Sequence, residues 1–369
     1  MTSVDTQAES SIADLARLAR QSSDLIVSLQ DPSGAYPASP TFSAYRGYSW
    51  FRDGAYIADG VSSMGEVESA SAFFDWCARI LESRAEQIDA IVAAAAAGTP
   101  VADSEMLPTR FTFDGHDGDD EWWDYQLDGY GTWLWAVIEH AERHGLALDR
   151  WQRAISLSVA YLRSSWQRPC FDWWEENADQ VHGSTLGCIA GGFIAVDRAG
   201  LVSLDSEIAA IRALLTERGL YDGHLAKWLG SSAVDASLAS VVYPLGVFPP
   251  DSAIGAATIA AIERDLAVDD GVHRYLDDTF YGGGQWPLLS CMLGIAQAAG
   301  GNEARAFELL RWAASTFTAE GFLPEQVAHH LLDASMTQEW IDRWGTVATP
   351  LLWSHAMFAR LAVELGVVQ

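Results

Sequence analysis

With 369 residues and 49% hydrophobic content, the chain can bury a large core, and no long polar linker divides it. Its formal charge of −28 excludes nucleic acid and anionic membrane as partners, because both would be repelled, and leaves neutral ligands free to bind. Four scattered cysteines without a CxxC pair exclude a zinc site or a disulfide framework and suit a reducing compartment.

Helical periodicity recurs along the chain while alternating strand patterns are nearly absent. The expected helices are Ser11–Gln30, Asp53–Met64, Ser69–Ala97, Asp128–His144, Asp149–Trp166, His182–Ala199, Ser203–Glu217, Ala233–Val241, Ser252–Leu266, Trp286–Ala299, Asn302–Thr316 and Pro350–Leu365. Ser10, Asp149, Asp205, Ser252 and Asn302 are candidate N-caps or first-turn residues. The even-numbered segments are apolar on every side, as Gly183 to Gly192 illustrates, and such helices are buried. The odd-numbered ones carry more charge, as in Ile12 to Arg20. An inner ring of six inside an outer ring of six is an all-α, (α/α)6 barrel, expected as one domain over 1–369 with residues 1–10 a flexible N-terminus. An open α-solenoid is the alternative, but it lacks a fixed short repeat here.

The polar–aromatic clusters fall in the connections that lead into even-numbered helices. They are Trp50-Phe51-Arg52-Asp53, Trp122 to Asp128, Trp174-Glu175-Glu176, Lys227-Trp228, Arg274 to Asp278, and Glu325. In an alternating barrel those connections open at one end, so the chemistry is expected to converge on one mouth. Sixteen tryptophans are the compositional outlier, and several of them sit at turn signals, where aromatic faces suit the C–H faces of sugar rings.

Two glutamates stand out, Glu175 beside Trp173-Trp174 and Glu325 within Leu323-Pro324-Glu325-Gln326. Hydrolysis of a glycosidic bond needs two carboxyl groups, one to protonate the leaving oxygen and one to activate water. A carboxyl against tryptophan is expected to lose hydration in its charged form, which keeps a proton available near neutrality. Taken singly each has a plainer reading: Glu175 as a helix-terminus carboxylate, Glu325 as a solvated turn, with Asp333 and Glu339 as rival bases. Arg52-Asp53 reads equally as a salt bridge or as a grip on vicinal hydroxyls, and Asp128 equally as an N-cap. Asp277-Asp278 lacks the other ligands of a calcium loop, the Gly282-Gly283-Gly284 run lacks the lysine of a phosphate loop, and His329-His330 reads as a surface pair.

Together the clusters resemble the catalytic domain of the glucoamylases, glycoside hydrolase family 15, across nearly the whole chain. Tyr48-Ser49-Trp50-Phe51-Arg52-Asp53 is similar to the family's Tyr-x-Trp-x-Arg-Asp, and Trp122 to Gly129 to its Trp-x-x-x-Gln-x-Asp-Gly. Trp174-Glu175-Glu176, the Arg274 to Tyr281 stretch, Leu323 to Gln326 and Pro350 to Ala356 follow in the family's order. The resemblance implies an (α/α)6 barrel and an inverting, exo-acting α-glucosidase with Glu175 as general acid and Glu325 as general base. It implies that Arg52, Asp53 and Arg274 hold the terminal glucose, that Trp50 and Trp122 wall the pocket, and that Glu176 reaches the next sugar. Tyr48, Gln126, Asp128 and Trp174 complete the expected substrate site, with no metal or cofactor. Tyr45 and Tyr48 both precede the Arg-Asp pair, and the motif match selects Tyr48.

The N-terminal Met1-Thr2-Ser3-Val4-Asp5 has no secretion signature and no apolar run spans a bilayer, so a cytoplasmic enzyme acting on short, neutral α-gluco-oligosaccharides is expected. The short format is similar to the family's isomaltose glucohydrolases, which take α-1,6-linked substrates. Trehalase and an α-1,4-preferring glucoamylase are the alternatives within enzymes, and a non-catalytic sugar-binding protein is the alternative outside them. Oligomeric state is not legible in the sequence.

Overall fold

The computed structural model describes residues 11–368, so Ser10 and the expected flexible segment 1–10 lie outside the described residues. Within them the chain forms α1 (Ile12–Leu29), α2 (Phe51–Ser63), α3 (Val67–Ser83), α4 (Ala85–Ala96), α5 (Asp128–His144), α6 (Gln152–Ser165) and α7 (Gly183–Arg198). There follow α8 (Asp205–Arg218), α9 (Leu238–Val242), α10 (Ala253–Leu266), α11 (Pro287–Ala299), α12 (Glu303–Ser315), α13 (Thr337–Trp344) and α14 (Leu352–Glu364). Helices α2, α5, α7, α9, α11 and α14 each pack on the next in that order, and α14 returns to α2, which closes an inner ring. Helices α1, α3, α6, α8, α10 and α12 pack outside it. This is the (α/α)6 barrel.

The inner helices are buried nearly all round, and small residues let them approach. A Cβ at Gly131 of α5 would lie 2.5 Å from the carbonyl oxygen of Cys188 on α7, and one at Gly192 would lie 2.5 Å from that of Gly131. Outer helices bury one stripe. Helix α1 buries Leu15, Ala19, Ser22 and Ile26 and is capped by Ser11, whose hydroxyl accepts from the Asp14 N–H at 3.2 Å. Ser252 caps α10 in the same way, whereas Asn302 precedes α12 without a side-chain cap. Asp205 is a first-turn residue of α8, and Asp149 sits in a 3-10 turn before α6.

Four differences from the sequence expectation have local causes. The segment Ser69–Ala97 breaks at Arg84 (φ −106°, ψ 16°), whose guanidinium reaches Gly115 O and Asp117 Oδ1, giving α3 and α4. The segment Ala233–Val241 yields only the five-residue α9: Asp235 turns its carboxylate to the Ser237 N–H instead of joining the helix, and Pro244 lacks the N–H to continue it. Strands of two or three residues escape an alternation test, yet three antiparallel pairs form: β1 (Tyr48–Trp50) with β2 (Arg110–Thr112), β3 (Leu220–Tyr221) with β4 (His224–Leu225), and β5 (Ala267–Val268) with β6 (Gly271–Val272). Helix α13 lies outside the expected set: it is only eight residues long, and its apolar side, Trp340, Ile341 and Trp344, packs only partly buried against the core.

Candidate active site

The connections leading into α2, α5, α7, α11 and α14 meet at one end of the barrel and enclose a cavity. Its wall includes Tyr45, Trp50, Arg52, Asp53, Trp122, Trp174, Glu175, Glu176, Arg274, Phe280, Trp286 and Glu325. It also includes Trp173 and Trp353, stacked with ring centroids 5.5 Å apart, and Tyr56 packs 5.4 Å from each of them.

Glu175 is presented by a turn that its neighbour Asp172 builds. Asp172 Oδ1 accepts the backbone N–H groups of Trp174 and Glu176, each at 2.9 Å, and the Asp172 carbonyl accepts that of Glu175 at 2.9 Å. The turn forces Glu175 to φ 67°, a left-handed conformation that costs a glutamate of order 1–3 kcal/mol and persists only where surrounding bonds hold it. Three N–H groups converge on its carboxylate. Trp50 Nε1 (2.7 Å) and Gln126 Nε2 (3.0 Å) donate to Oε1, and Trp122 Nε1 (2.9 Å) donates to Oε2. The indoles expected to desolvate this acid therefore also hold it, edge-on, through their N–H groups.

Glu325 lines the same cavity from a bend in the connection into α14, its N–H donating to Ala348 O at 2.9 Å, while Val327 pairs with Gln285. The glycine run of the sequence packs against this segment: a Cβ at Gly284 would stand 2.4 Å from Val327 O. Glu325 is 3% exposed. Tyr45 Oη donates to its Oε1 at 2.9 Å, and its Oε2 has no hydrogen-bond partner among the described residues. Burial pushes this carboxyl up to about 8, the carboxylates Asp53 and Glu175 push the same way, and the Tyr45 hydrogen bond and Arg274 oppose them.

Arg52 is buried on the cavity floor, with Nη1 on Gln126 Oε1 (2.5 Å) and Asp128 Oδ2 (3.0 Å) and Nε 3.4 Å from Asp53 Oδ2. Burial raises Asp53 to about 7 against the pull of Arg52. Opposite, Arg274 pairs with Asp278 through Nε (2.8 Å), lies 3.5 Å from Glu176 Oε1, and is packed against the rings of Trp174, Phe280 and Trp286. Burial raises the Glu176 carboxyl, with Arg274 and the Tyr275 hydroxyl opposing.

The expected site residues Trp50, Arg52, Asp53, Trp122, Trp174, Glu175, Glu176, Arg274 and Glu325 are thus brought together. Three others are not in the wall. Tyr48 shares the Trp50 face of β1, ring centroids 6.4 Å apart, but its ring covers Arg110 and its hydroxyl turns to Asp119 and Asp120; the tyrosine in the cavity is Tyr45. Gln126 and Asp128 are fully buried behind Arg52 and reach the cavity only through it and Glu175. The rival acids stand apart: Asp333 caps an exposed turn, and Glu339 is on α13 outside the cavity wall. His330 pairs on the surface with Asp269 at 3.0 Å. Sequence reasoning missed Phe280, Arg343 and Trp353 as lining residues. Trp340, Arg343 and Trp344 share one face of α13, and their i, i+3, i+4 spacing was the available signal.

Among the described residues no cluster of histidine, cysteine, aspartate and glutamate could hold a metal ion, and no helix is long and apolar enough to cross a membrane.

The family model described as glycosyl hydrolases family 15 matches residues 14–363. The isomaltose glucohydrolase of Kribbella flavida (strain DSM 17836 / JCM 10339 / NBRC 14399) is 53% identical over 364 residues, covering 97% of this chain and 94% of its own. A glycosidase variant solved in complex with glucose superposes with a TM-score of 0.94 at 53% identity, covering 97% and 98% of the two chains. The glucoamylase of Saccharomycopsis fibuligera shares the fold at 15% identity, with a TM-score of 0.74 over 99% and 98%.

Proposed function

Because the chain belongs to glycosyl hydrolase family 15, and is therefore a glycoside hydrolase, we propose that it releases β-D-glucose from the non-reducing end of short α-glucosides, with isomaltose as the preferred substrate. The isomaltose preference rests on the 53% identity to an isomaltose glucohydrolase over nearly the full length of both chains. The catalytic assignment rests on one observation: two carboxyl groups line one cavity, one fixed in place by its donors and one with an oxygen left for water. Glu175 is held on both oxygens by N–H donors, while Glu325 keeps one oxygen without a protein partner among the described residues.

In this reading Glu175 carries a proton on Oε2, exchanging the Trp122 bond for one to the glycosidic oxygen while Oε1 keeps its two donors. The proton passes to the leaving oxygen as the C1–O bond breaks. Water adds to C1 from the opposite face and yields its proton to Oε2 of Glu325. Proton donor and acceptor then need one resetting exchange with solvent per turnover. A water donating to Oε2 also favours the charged form of Glu325, which burial alone opposes. Arg52, Asp53 and Arg274 supply directional partners for the hydroxyls of the terminal glucose, and the tryptophans supply its apolar faces. The four cysteines are all free and buried, which accords with action inside the cell.

The test is the anomer first formed from isomaltose, followed by proton NMR before mutarotation: β-glucose is expected, and α-glucose rules the mechanism out. Glu175→Gln and Glu325→Gln should each lower isomaltose turnover by about 10²–10⁴-fold in folded protein, with maltose, nigerose and trehalose measured beside it.

A further inference from the structure

Lys227 is the one lysine in the chain, and the cavity wall does not include it. It lies behind the wall, with a side-chain exposure of 3%. Nζ donates to Asp235 Oδ2 at 2.7 Å, lies 3.2 Å from Asp172 Oδ2, and sits 3.6 Å from the ring centroid of Tyr275. Each of these three partners holds a residue of the wall. Asp235 Oδ2 accepts from Trp174 Nε1 at 2.9 Å. Asp172 builds the turn that presents Glu175, through the bonds described above. Tyr275 donates its hydroxyl proton to Glu176. One cation therefore ties together the turn 172–177, the connection into α9 and the segment around Tyr275.

The charges leave it no substitute. The side chains of Asp172 and Asp235 are 2% and 3% exposed, and both turn an oxygen to the ammonium. The other basic groups nearby are His182, with Nδ1 4.0 Å from Asp172, and Arg274, which is engaged by Asp278 and Glu176. Burial works against the charge on Lys227, but Asp235 and Asp172 outweigh it and hold the ammonium above its ordinary value. Burial likewise opposes the Asp235 charge, and Lys227 and Ser237 hold it below the usual carboxylate range. Removing the cation leaves two buried carboxylates facing each other, and the Asp172 turn is where that repulsion relaxes.

We propose that Lys227 is a positioning residue for proton donation, acting through Asp172 and Asp235 to hold the 172–177 turn so that Glu175 meets the leaving oxygen. The proposal rests on the reading of Glu175 as general acid. It is tested with Lys227→Met on two substrates, isomaltose and α-D-glucosyl fluoride, because fluoride departs without a proton donor whereas a sugar alcohol does not. Misplacing a catalytic group by a fraction of its hydrogen-bond length costs on the order of 10²-fold, so kcat on isomaltose should fall by about that much while the fluoride is affected only slightly. The double variant Lys227→Met/Asp235→Asn, which removes one negative charge and keeps an acceptor for Trp174, should recover part of the isomaltose rate. Equal losses on both substrates, or an unchanged isomaltose kcat, overturn the proposal. Should Lys227→Met not fold, Lys227→Arg carries the same test: its cation remains but cannot match the ammonium geometry, and the same split between substrates is expected. Glu175→Gln measured in parallel separates the two ideas, since an equal loss on both substrates there refutes the acid assignment itself.

Discussion

Tyr45 and Trp50 meet edge to face, with ring centroids 5.5 Å apart and planes at 77°, and each polar tip reaches a different acid. The Tyr45 hydroxyl donates to Glu325 and the Trp50 indole to Glu175. Both aromatics belong to the single connection between α1 and α2, so one stretch of chain sets the position of both carboxyl groups. The two acids precede α7 and α14, three steps apart around the ring of six inner helices, and this aromatic pair registers them against one another.

Tyr45→Phe removes the hydrogen bond that opposes the effect of burial on Glu325. The Glu325 carboxyl then rises further above its ordinary value. Because a base must be ionised to act, the limb of the kcat/KM profile on which activity grows with pH should move to higher pH, with the loss greatest on the acid side. A profile that drops uniformly at every pH would contradict this.

The same burial has a consequence for stability. Below about pH 4.5 the Glu325 carboxyl is neutral folded or unfolded. As pH rises from 4.5 toward about 8 the unfolded chain ionises it while the fold keeps it neutral, so the native state loses stability across that window. Glu325→Gln escapes this loss. Its melting temperature should match wild type near pH 4.5 and exceed it near pH 8 by roughly 2–4 °C, read by calorimetry at the two pH values.

Asp128 lies behind Arg52, bonded to it at 3.0 Å, and is not itself part of the cavity wall. Replacing it with alanine takes one carboxylate from a buried guanidinium and should cost about 3 kcal/mol of unfolding free energy. Arg52 then keeps Gln126 and the more distant Asp53, so KM for isomaltose should rise as well. Denaturant titration and steady-state kinetics on one preparation report both effects.

Gly131→Ala puts a methyl group where α5 and α7 cross, 2.5 Å from the Cys188 carbonyl. Alanine favours the helix by about 1 kcal/mol, yet backbone oxygen cannot move aside as a side chain can. The variant should be destabilised by about 1–3 kcal/mol, and equal or greater stability would show that the inner ring has slack.

The barrel was legible because its inner helices are apolar all round and its outer ones are not, as in α7 against α1. The convergence of the clusters followed from alternation alone, without coordinates. What stayed hidden was whatever rests on side-chain direction or on very short elements. Whether Tyr45 or Tyr48 enters the cavity depends on partners far along the chain: Arg110, Asp119 and Asp120 take up Tyr48, and Glu325 takes up Tyr45. Gln126 and Asp128 carry the right chemistry for binding sugar, but burial behind Arg52 assigns them to its support. Helix α13 is only eight residues long, and its aromatic face reads as function only once the cavity beside it is known.

A chain with a single lysine, enclosed under the active-site wall, also has a practical corollary. A lysine-specific endoprotease finds one scissile bond in the whole polypeptide, and the native fold shields it. Cleavage into two large fragments therefore counts excursions that open this one wall of the barrel, and a ligand that occupies the neighbouring cavity should slow the cut.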